Sequence, residues 1–163
     1  MSAVFVPPSP VALTAELQQA LDKARQAARL EGLTFAGSLS PQTAWALVRA
    51  GAAQLVDVRS VEENRFVGHV PDTLNVPWAT GTSLTRNPRF VRELEAKLSN
   101  RDQPVLLLCR SGKRSALAAE AATKAGLPQV FNVLEGFEGE IDAYGQRGHG
   151  DGWRFHGLPW EQN

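Results

Sequence analysis

The sequence predicts an α/β fold in which helices cover both faces of a parallel β-sheet. Short apolar runs without polar alternation recur along the chain, and segments with helical spacing separate them. Apolar strands of this kind are buried on both faces, which is the arrangement of a parallel sheet between two helical layers. The apolar runs predict strands at 55–58, 73–76, 105–108 and 130–134.

The N-terminal region is predicted to contribute a tail and one helix. Three prolines interrupt residues 1–12, which we expect to be a flexible tail. From Thr14 to about Arg29 apolar residues recur at helical intervals, so residues 13–38 are predicted to form a helical extension that packs on the domain. A dimerisation helix is the alternative interpretation of the same spacing. Residues 39–163 are predicted to form the main domain.

Capping residues and apolar spacing predict the remaining helices. Ser40 suits an N-cap, Pro41 suits the first helical position, and Gly51 suits the residue that follows a helix end. Further helical spacing is found at 90–98 and 115–125. The helices at 90–98 and 115–125 each lie between two predicted strands, as the parallel crossover connection requires.

Length, charge and cysteine count exclude several classes of protein. The 163 residues are 43% hydrophobic and 21% charged, which is typical of one globular domain. A formal net charge of zero provides no bulk attraction to nucleic acid or to an anionic membrane, so we expect neither partner. One cysteine excludes an intramolecular disulfide and a zinc site of paired cysteines. The three histidines show no metal-ligand spacing, so neither a metal nor a cofactor is expected.

The sequence also indicates a cytoplasmic location. Its first sixteen residues lack the basic region and the unbroken apolar stretch of a secretory signal. No run of about 18 apolar residues, the length needed to span a bilayer, is found in the chain. A single free cysteine fits a reducing compartment.

The segment Val105–Ala125, VLLLCRSGKRSALAAEAATKA, carries the strongest chemical signal. Cys109 follows an apolar strand and precedes a helix predicted to begin at Ser115. Ligands of parallel α/β sheets bind beyond the carboxyl ends of the strands, so Cys109 lies where chemistry is expected. Gly112 allows the chain to turn sharply, and the N–H groups of a tight loop at a helix N-terminus bind anions.

Three cations strengthen this interpretation of the cysteine. Arg110, Lys113 and Arg114 follow it, and the first acidic residue after them is Glu120. Nearby cations and a helix N-terminus favour the thiolate over the thiol. A lone cysteine at a strand end is more often a small buried hydrophobe. The glycine and the three cations after Cys109 favour a functional cysteine instead.

Several motifs, in one order along the chain, resemble the rhodanese superfamily. The resemblance covers residues 39–160, and Glu62 stands where the family has its usual acid after the first motif. The matching segments are LVDVR at 55–59, GHVP at 68–71, NVP at 75–77, CRSGKR at 109–114, LEGF at 134–137 and GLP at 157–159.

The resemblance implies a fold and an activity. The fold is a central five-stranded parallel sheet flanked by helices on both faces. The activity is that of a sulfurtransferase, which moves a sulfane sulfur from a donor such as thiosulfate to cyanide or a thiol through a persulfide on Cys109. Loop length supports this chemistry, because phosphatase members have an arginine six positions after the cysteine, whereas Arg114 is five positions after Cys109.

The resemblance also implies roles for individual residues. Asp57 is expected to bond the active loop or neighbouring backbone groups, and Arg59 is expected to form a structural ion pair with Glu62. Arg65 resembles a substrate-binding arginine of the family. The donor is expected to bind at Arg65 and at the active loop, through Arg110, Ser111, Gly112, Lys113, Arg114 and Ser115.

Alternative functions remain open at this stage. The domain could be a sulfur carrier without turnover, or an interaction module that binds persulfides. An inactive scaffold is disfavoured because the cysteine is present. The donor could be thiosulfate, mercaptopyruvate or a protein persulfide, so the expected partners are a small-molecule donor and acceptor, with a protein donor or acceptor as the alternative.

Overall fold

The computed structural model describes residues 14–163, so the predicted flexible tail at 1–12 lies outside the described residues. Its central layer is a parallel sheet. The five strands are β1 (Gly37–Leu39), β2 (Gln54–Asp57), β3 (Leu74–Asn75), β6 (Val105–Leu108) and β7 (Val130–Val133). They lie side by side in the order β1-β7-β6-β2-β3. The predicted five-stranded parallel sheet is therefore confirmed.

Helices pack against both faces of this sheet, as predicted. They are α1 (Ala15–Glu31), α2 (Pro41–Arg49), α3 (Phe90–Lys97) and α4 (Lys113–Lys124). All four residues of β6 are buried, and alternate residues face opposite helical layers. Leu106 and Leu108 share a buried cluster with α1 and α2, whereas Leu107 shares one with α3 and α4. Within residues 14–163, no helix has the length and apolar composition to cross a membrane.

Three short elements were not predicted. Strand β1 has only three residues, with a serine at its centre, and it crosses the predicted boundary between residues 38 and 39. A two-stranded hairpin, β4 (Ala79–Thr80) and β5 (Thr85–Arg86), follows β3, and a π-helical turn spans Glu63–Val67. Each is too short for hydrophobic periodicity to reveal it.

Helix α4 begins two residues earlier than predicted. The sequence predicts its start at Ser115, but Lys113 is already helical and Gly112 is the N-cap. The reason is the backbone of Gly112, whose φ of +101° is a conformation that side chains rarely allow. The chain therefore turns from loop to helix within three residues of Cys109.

The C-terminal segment packs against the loop that follows β6. The Phe137 N–H donates to the Cys109 carbonyl at 2.7 Å, and the Glu138 N–H donates to the Arg110 carbonyl at 3.0 Å. Trp153, which is fully buried, holds this segment through a backbone bond to Gly136. Backbone hydrogen bonds from the C-terminal segment thus hold the loop.

Candidate active site

Cys109 directly follows β6, at the carboxyl edge of the sheet. The Gly112 N–H donates to its Sγ at 3.1 Å, and the Ser115 Oγ lies 3.2 Å from the same sulfur. The side chain is only 1% exposed and belongs to the buried cluster that includes Val58 and Ala118. The sulfur therefore lies at the closed inner end of the loop, with a backbone donor aimed at it.

The N-terminus of α4 is open toward this loop. No side chain caps it, and Gly112 at the N-cap has none to offer. The first N–H groups of a helix have no intrahelical acceptor, and the helix dipole places partial positive charge there. A sulfur anion on Cys109 would be stabilised by these groups, as the sequence predicts for the loop.

Arg114, predicted to bind the donor, forms a two-pronged ion pair with Glu63. Its Nη1 and Nη2 lie 2.6 and 2.8 Å from the two carboxylate oxygens, and both side chains are largely buried. The hydrogen bonds that Arg114 donates to Glu63 raise the pKa of Arg114 above its ordinary value. Burial alone would raise the pKa of Glu63, but the bonds from Arg114 and Ser60 hold it below its usual range. The charge of Arg114 is therefore compensated in this structure.

The predicted ion pair between Arg59 and Glu62 is wrong. Arg59 binds Asp57 instead, with Nη2 at 2.6 Å from Oδ2, and both side chains are completely buried. Arg59 also donates to the Gly68 carbonyl at 2.6 Å, and its backbone N–H donates to Asp57 Oδ1 at 2.9 Å. The physical reason is burial: Asp57 at the end of β2 and Arg59 just beyond it are both buried, whereas Glu62 is exposed.

A cavity of about 400 Å³ opens above the loop, and we call it the site mouth. Cys109 does not line it, because the sulfur lies deeper. Arg65 and Lys113 are exposed and do not line it either, and the guanidinium of Arg65 lies 5.8 Å from the ring of Phe66. The lining residues are Ser60, Glu62, Glu63, Val67, Gly81, Thr82, Leu84, Arg110, Arg114, Glu138 and Arg147.

Comparison with known proteins identifies the family. Residues 40–141 match the family model described as a Rhodanese-like domain, which is more than half of the chain. The chain belongs to the rhodanese-like family. The family includes sulfurtransferases, which is the class that the cysteine loop resembles.

Relatives of this rhodanese-like domain come from several bacteria. An uncharacterised protein of Rickettsia prowazekii is 33% identical over 116 residues, which are 71% of this chain and 88% of that protein. A thiosulfate sulfurtransferase, GlpE of Actinobacillus pleuropneumoniae, is 28% identical over 76% of this chain and 91% of its own. The crystal structure of Rv0390 from M. tuberculosis is 48% identical, covers 79% of this chain and 99% of its own, and has a TM-score of 0.70.

One polar residue of the rhodanese-like domain was missed by the sequence analysis. Asn132 lies in β7 and is 5% exposed. Its Oδ1 accepts a hydrogen bond from the Ser115 Oγ at 2.5 Å, and its Nδ2 donates to the Gly112 carbonyl at 3.2 Å. We call Cys109, Gly112, Ser115 and Asn132 the buried sulfur network. The sequence does contain a signal for Asn132, which interrupts the apolar run at 130–134. A buried amide in such a strand needs hydrogen-bond partners.

Three charged residues of the site mouth were also missed. The sequence does not show whether Glu62 or Glu63 would pair with Arg114. The π-helical turn decides this, because it directs the side chain of Glu63 toward Arg114. Glu138 and Arg147 come from the irregular C-terminal segment, whose pattern predicts no position. Among residues 14–163, no group of His, Cys, Asp and Glu side chains is arranged to hold a metal ion.

Proposed function

We propose that this domain is a sulfurtransferase that carries a sulfane sulfur as a persulfide on Cys109. The observation that supports it best is the 3.1 Å hydrogen bond from the Gly112 N–H to Sγ, at the uncapped N-terminus of α4. The Gly112 N–H already points at the sulfur, so this donor can stabilise negative charge there without moving. A single free thiol is best kept in a reducing compartment, so we also propose a cytoplasmic location.

The reaction would consist of two displacements at sulfur. The Cys109 thiolate attacks the outer sulfur of the donor, forming a new S–S bond, while the donor's bond to its leaving group breaks. With thiosulfate the leaving group is sulfite, which takes the bonding electron pair. An acceptor nucleophile then attacks the outer sulfur of the persulfide and restores the thiolate. The chain has no second cysteine, so this acceptor must come from outside.

Two arginines of the site mouth support an anionic donor. Arg114 is compensated by Glu63, but Arg110 and Arg147 have no acidic partner within residues 14–163. Arg147 is held in place by a 2.7 Å bond from its Nη1 to the Gly139 carbonyl. We propose that Arg110 and Arg147 attract the anionic end of the donor, while Arg114 mainly fixes the loop against Glu63.

Burial of the sulfur favours a second candidate, a sulfur carrier without turnover. Cys109 is 1% exposed and does not line the site mouth, so the loop must open before any donor reaches Sγ. A partner protein that opens the loop on docking would make transfer depend on that partner. Small-molecule turnover would then be slow or absent.

Turnover with thiosulfate and cyanide distinguishes the two candidates. A sulfurtransferase forms thiocyanate at steady state, and the folded Cys109→Ala variant forms none. A carrier forms none in either case, yet the wild-type protein gains one sulfur atom from a suitable donor. Hydrolysis of a phosphate ester that requires Cys109 would contradict both.

A further inference from the structure

We propose that Asn132 is a positioning residue that controls the protonation of Cys109 by fixing the direction of the Ser115 hydroxyl. The inference concerns the same sulfur as the proposed function and rests on it for its biological meaning. Its evidence is the geometry of the buried sulfur network. Neither Asn132 nor its bonds were expected from the cysteine loop itself.

The orientation of the Asn132 amide follows from its partners. One of the two polar atoms of the side-chain amide lies 3.2 Å from the Gly112 carbonyl oxygen. Because a carbonyl oxygen can only accept a hydrogen bond, this atom must be the nitrogen of the NH₂ group. The amide oxygen is then left to face the Ser115 Oγ at 2.5 Å. Because that oxygen also only accepts, the hydroxyl proton of Ser115 must point to Asn132.

The direction of this proton determines what Ser115 offers to sulfur. A hydroxyl has one proton, so Ser115 presents a lone pair to Sγ at 3.2 Å. A neutral thiol satisfies this arrangement, because its S–H donates to Ser115. The chain of donors then runs from Cys109 through Ser115 to Asn132, and every member is paired.

Ionisation of Cys109 breaks this chain. A thiolate has no proton to donate, so its proton leaves to solvent and the Ser115 hydroxyl must rotate toward Sγ to pair with it. Asn132 Oδ1 is then left buried without a donor, which is costly. The same conflict arises in the persulfide, whose inner sulfur also lacks a proton. Asn132 therefore stabilises the resting thiol relative to both sulfur anions.

The position of Asn132 within the sheet supports this role. It lies in β7, where it is paired in register with Leu107 of β6, and its neighbours Phe131 and Val133 are buried and apolar. An amide at such a site costs stability unless its polar atoms are bonded. Here both ends of the amide are bonded, and both bonds go to the cysteine loop or its helix.

Alkylation of the thiol tests the proposal without requiring turnover. The chain has one cysteine, so the rate of reaction with iodoacetamide reports Cys109 alone. Asn132→Val removes the acceptor and suits a central strand, freeing Ser115 to donate to the thiolate. We expect alkylation near neutral pH to be roughly two- to tenfold faster, the ratio that one net hydrogen bond is worth. The rate–pH profile should shift to lower pH with an unchanged alkaline plateau.

A double variant separates positioning from loosening of the loop. If Asn132 acts only through Ser115, then Asn132→Val has no effect on the alkylation rate in the Ser115→Ala background. The proposal is overturned if Asn132→Val accelerates alkylation equally in the Ser115→Ala and wild-type backgrounds. It is also overturned if Asn132→Val does not accelerate alkylation in the wild-type background. Because only alkylation is measured, this outcome is independent of whether thiocyanate is formed.

A vibrational measurement keeps the proposal testable if the Asn132 variant does not fold. The single cysteine of the wild-type protein gives one S–H stretching band. We expect the band at lower frequency in the wild type than in Ser115→Ala, where the S–H has lost its acceptor. The same frequency in both proteins would mean that the thiol does not donate to Ser115, and the proposal would fail.

Discussion

The buried sulfur network and the site mouth differ in how they use charge. Around the sulfur, the neighbouring groups are a backbone N–H, a hydroxyl and an amide, all of them neutral. The mouth is lined by three arginines and three glutamates, contributed by the cysteine loop, the π-helical turn and the C-terminal segment. Hydrogen bonds therefore reach the sulfur directly, whereas the ionised side chains lie at the mouth, where a donor would approach.

The three cations of the loop illustrate this division. The sequence predicts that the charges of Arg110, Lys113 and Arg114 favour the thiolate of Cys109. In the structure two of them line the mouth, and Lys113 is exposed. Within the described part of the chain, no side-chain cation donates a hydrogen bond to Sγ. Arg114 acts on Cys109 through Coulomb attraction and not through a hydrogen bond.

The largest expected effect comes from moving the backbone donor within the buried network. Gly112→Ala places a side chain at a φ of +101°, so the backbone must shift and carry its N–H away from Sγ. We expect the rate of sulfur transfer to fall about 10²-fold, as for the loss of one oxyanion donor. Thiocyanate formation from thiosulfate and cyanide measures it.

Gly32→Ala is the matched control for that variant. Gly32 also has a positive φ, of +72°, with open space around its missing side chain, but it ends α1 far from the loop. Both variants place a side chain on a backbone with positive φ. An equal loss of transfer in Gly32→Ala would mean that Gly112 matters through general stability and not through its donor.

A smaller effect is expected from breaking the ion pair at the mouth. Glu63→Gln leaves Arg114 half-buried without its carboxylate, and we expect the free energy of unfolding to fall by about 1–3 kcal/mol at pH 7. The pKa of Glu63 is below its ordinary value, so the charge stabilises the fold above about pH 4.5, and this contribution is lost as the pH falls further. Denaturant unfolding at several pH values measures the difference.

The exposed pair of Glu95 with Arg101, 4.0 Å apart, provides the control. Glu95→Gln should change the free energy of unfolding by less than about 1 kcal/mol at any pH. A difference between Glu63→Gln and wild type that persists undiminished at pH 3 would contradict the assigned role of the Glu63 charge.

The smallest effect is expected at the two uncompensated arginines of the mouth. Arg110→Ala and Arg147→Ala should each raise KM for thiosulfate about fivefold at low salt, with kcat little changed, since each removes about 1 kcal/mol of attraction. The effect should shrink as salt is added. Lys113→Ala is the control, because Lys113 is exposed and does not line the mouth. If Lys113→Ala changes KM equally, the attraction is not specific to the mouth.

The fold was largely predictable because its buried elements carry strong local signals. Strand β6 has the predicted bounds, since four apolar residues in succession are rarely anything but a buried strand or helix. Helix α2 begins with Ser40 and Pro41 and is followed by Gly51 at positive φ, as predicted. Strand β1 was not predictable, because its place beside β7 depends on long-range pairing and not on its own three residues.

The site was predictable only where chemistry follows chain order. Cys109 at the end of an apolar strand, with Gly112 three residues later, follows directly from the sequence. The ion pairs between acids and arginines do not follow from the sequence. They depend on side-chain directions, which are set by turns that have no periodic pattern. This is why Arg59 was predicted to pair with Glu62 and binds Asp57 instead.

The mass of the protein after exposure to a sulfur donor shows whether Cys109 carries a persulfide. After incubation with thiosulfate, the intact wild-type chain should gain the mass of one sulfur atom, and peptide mapping should place it on Cys109. Cyanide should remove it, and folded Cys109→Ala should never acquire it. A folded wild-type protein that gains no sulfur from thiosulfate or from a thiol persulfide would contradict the account.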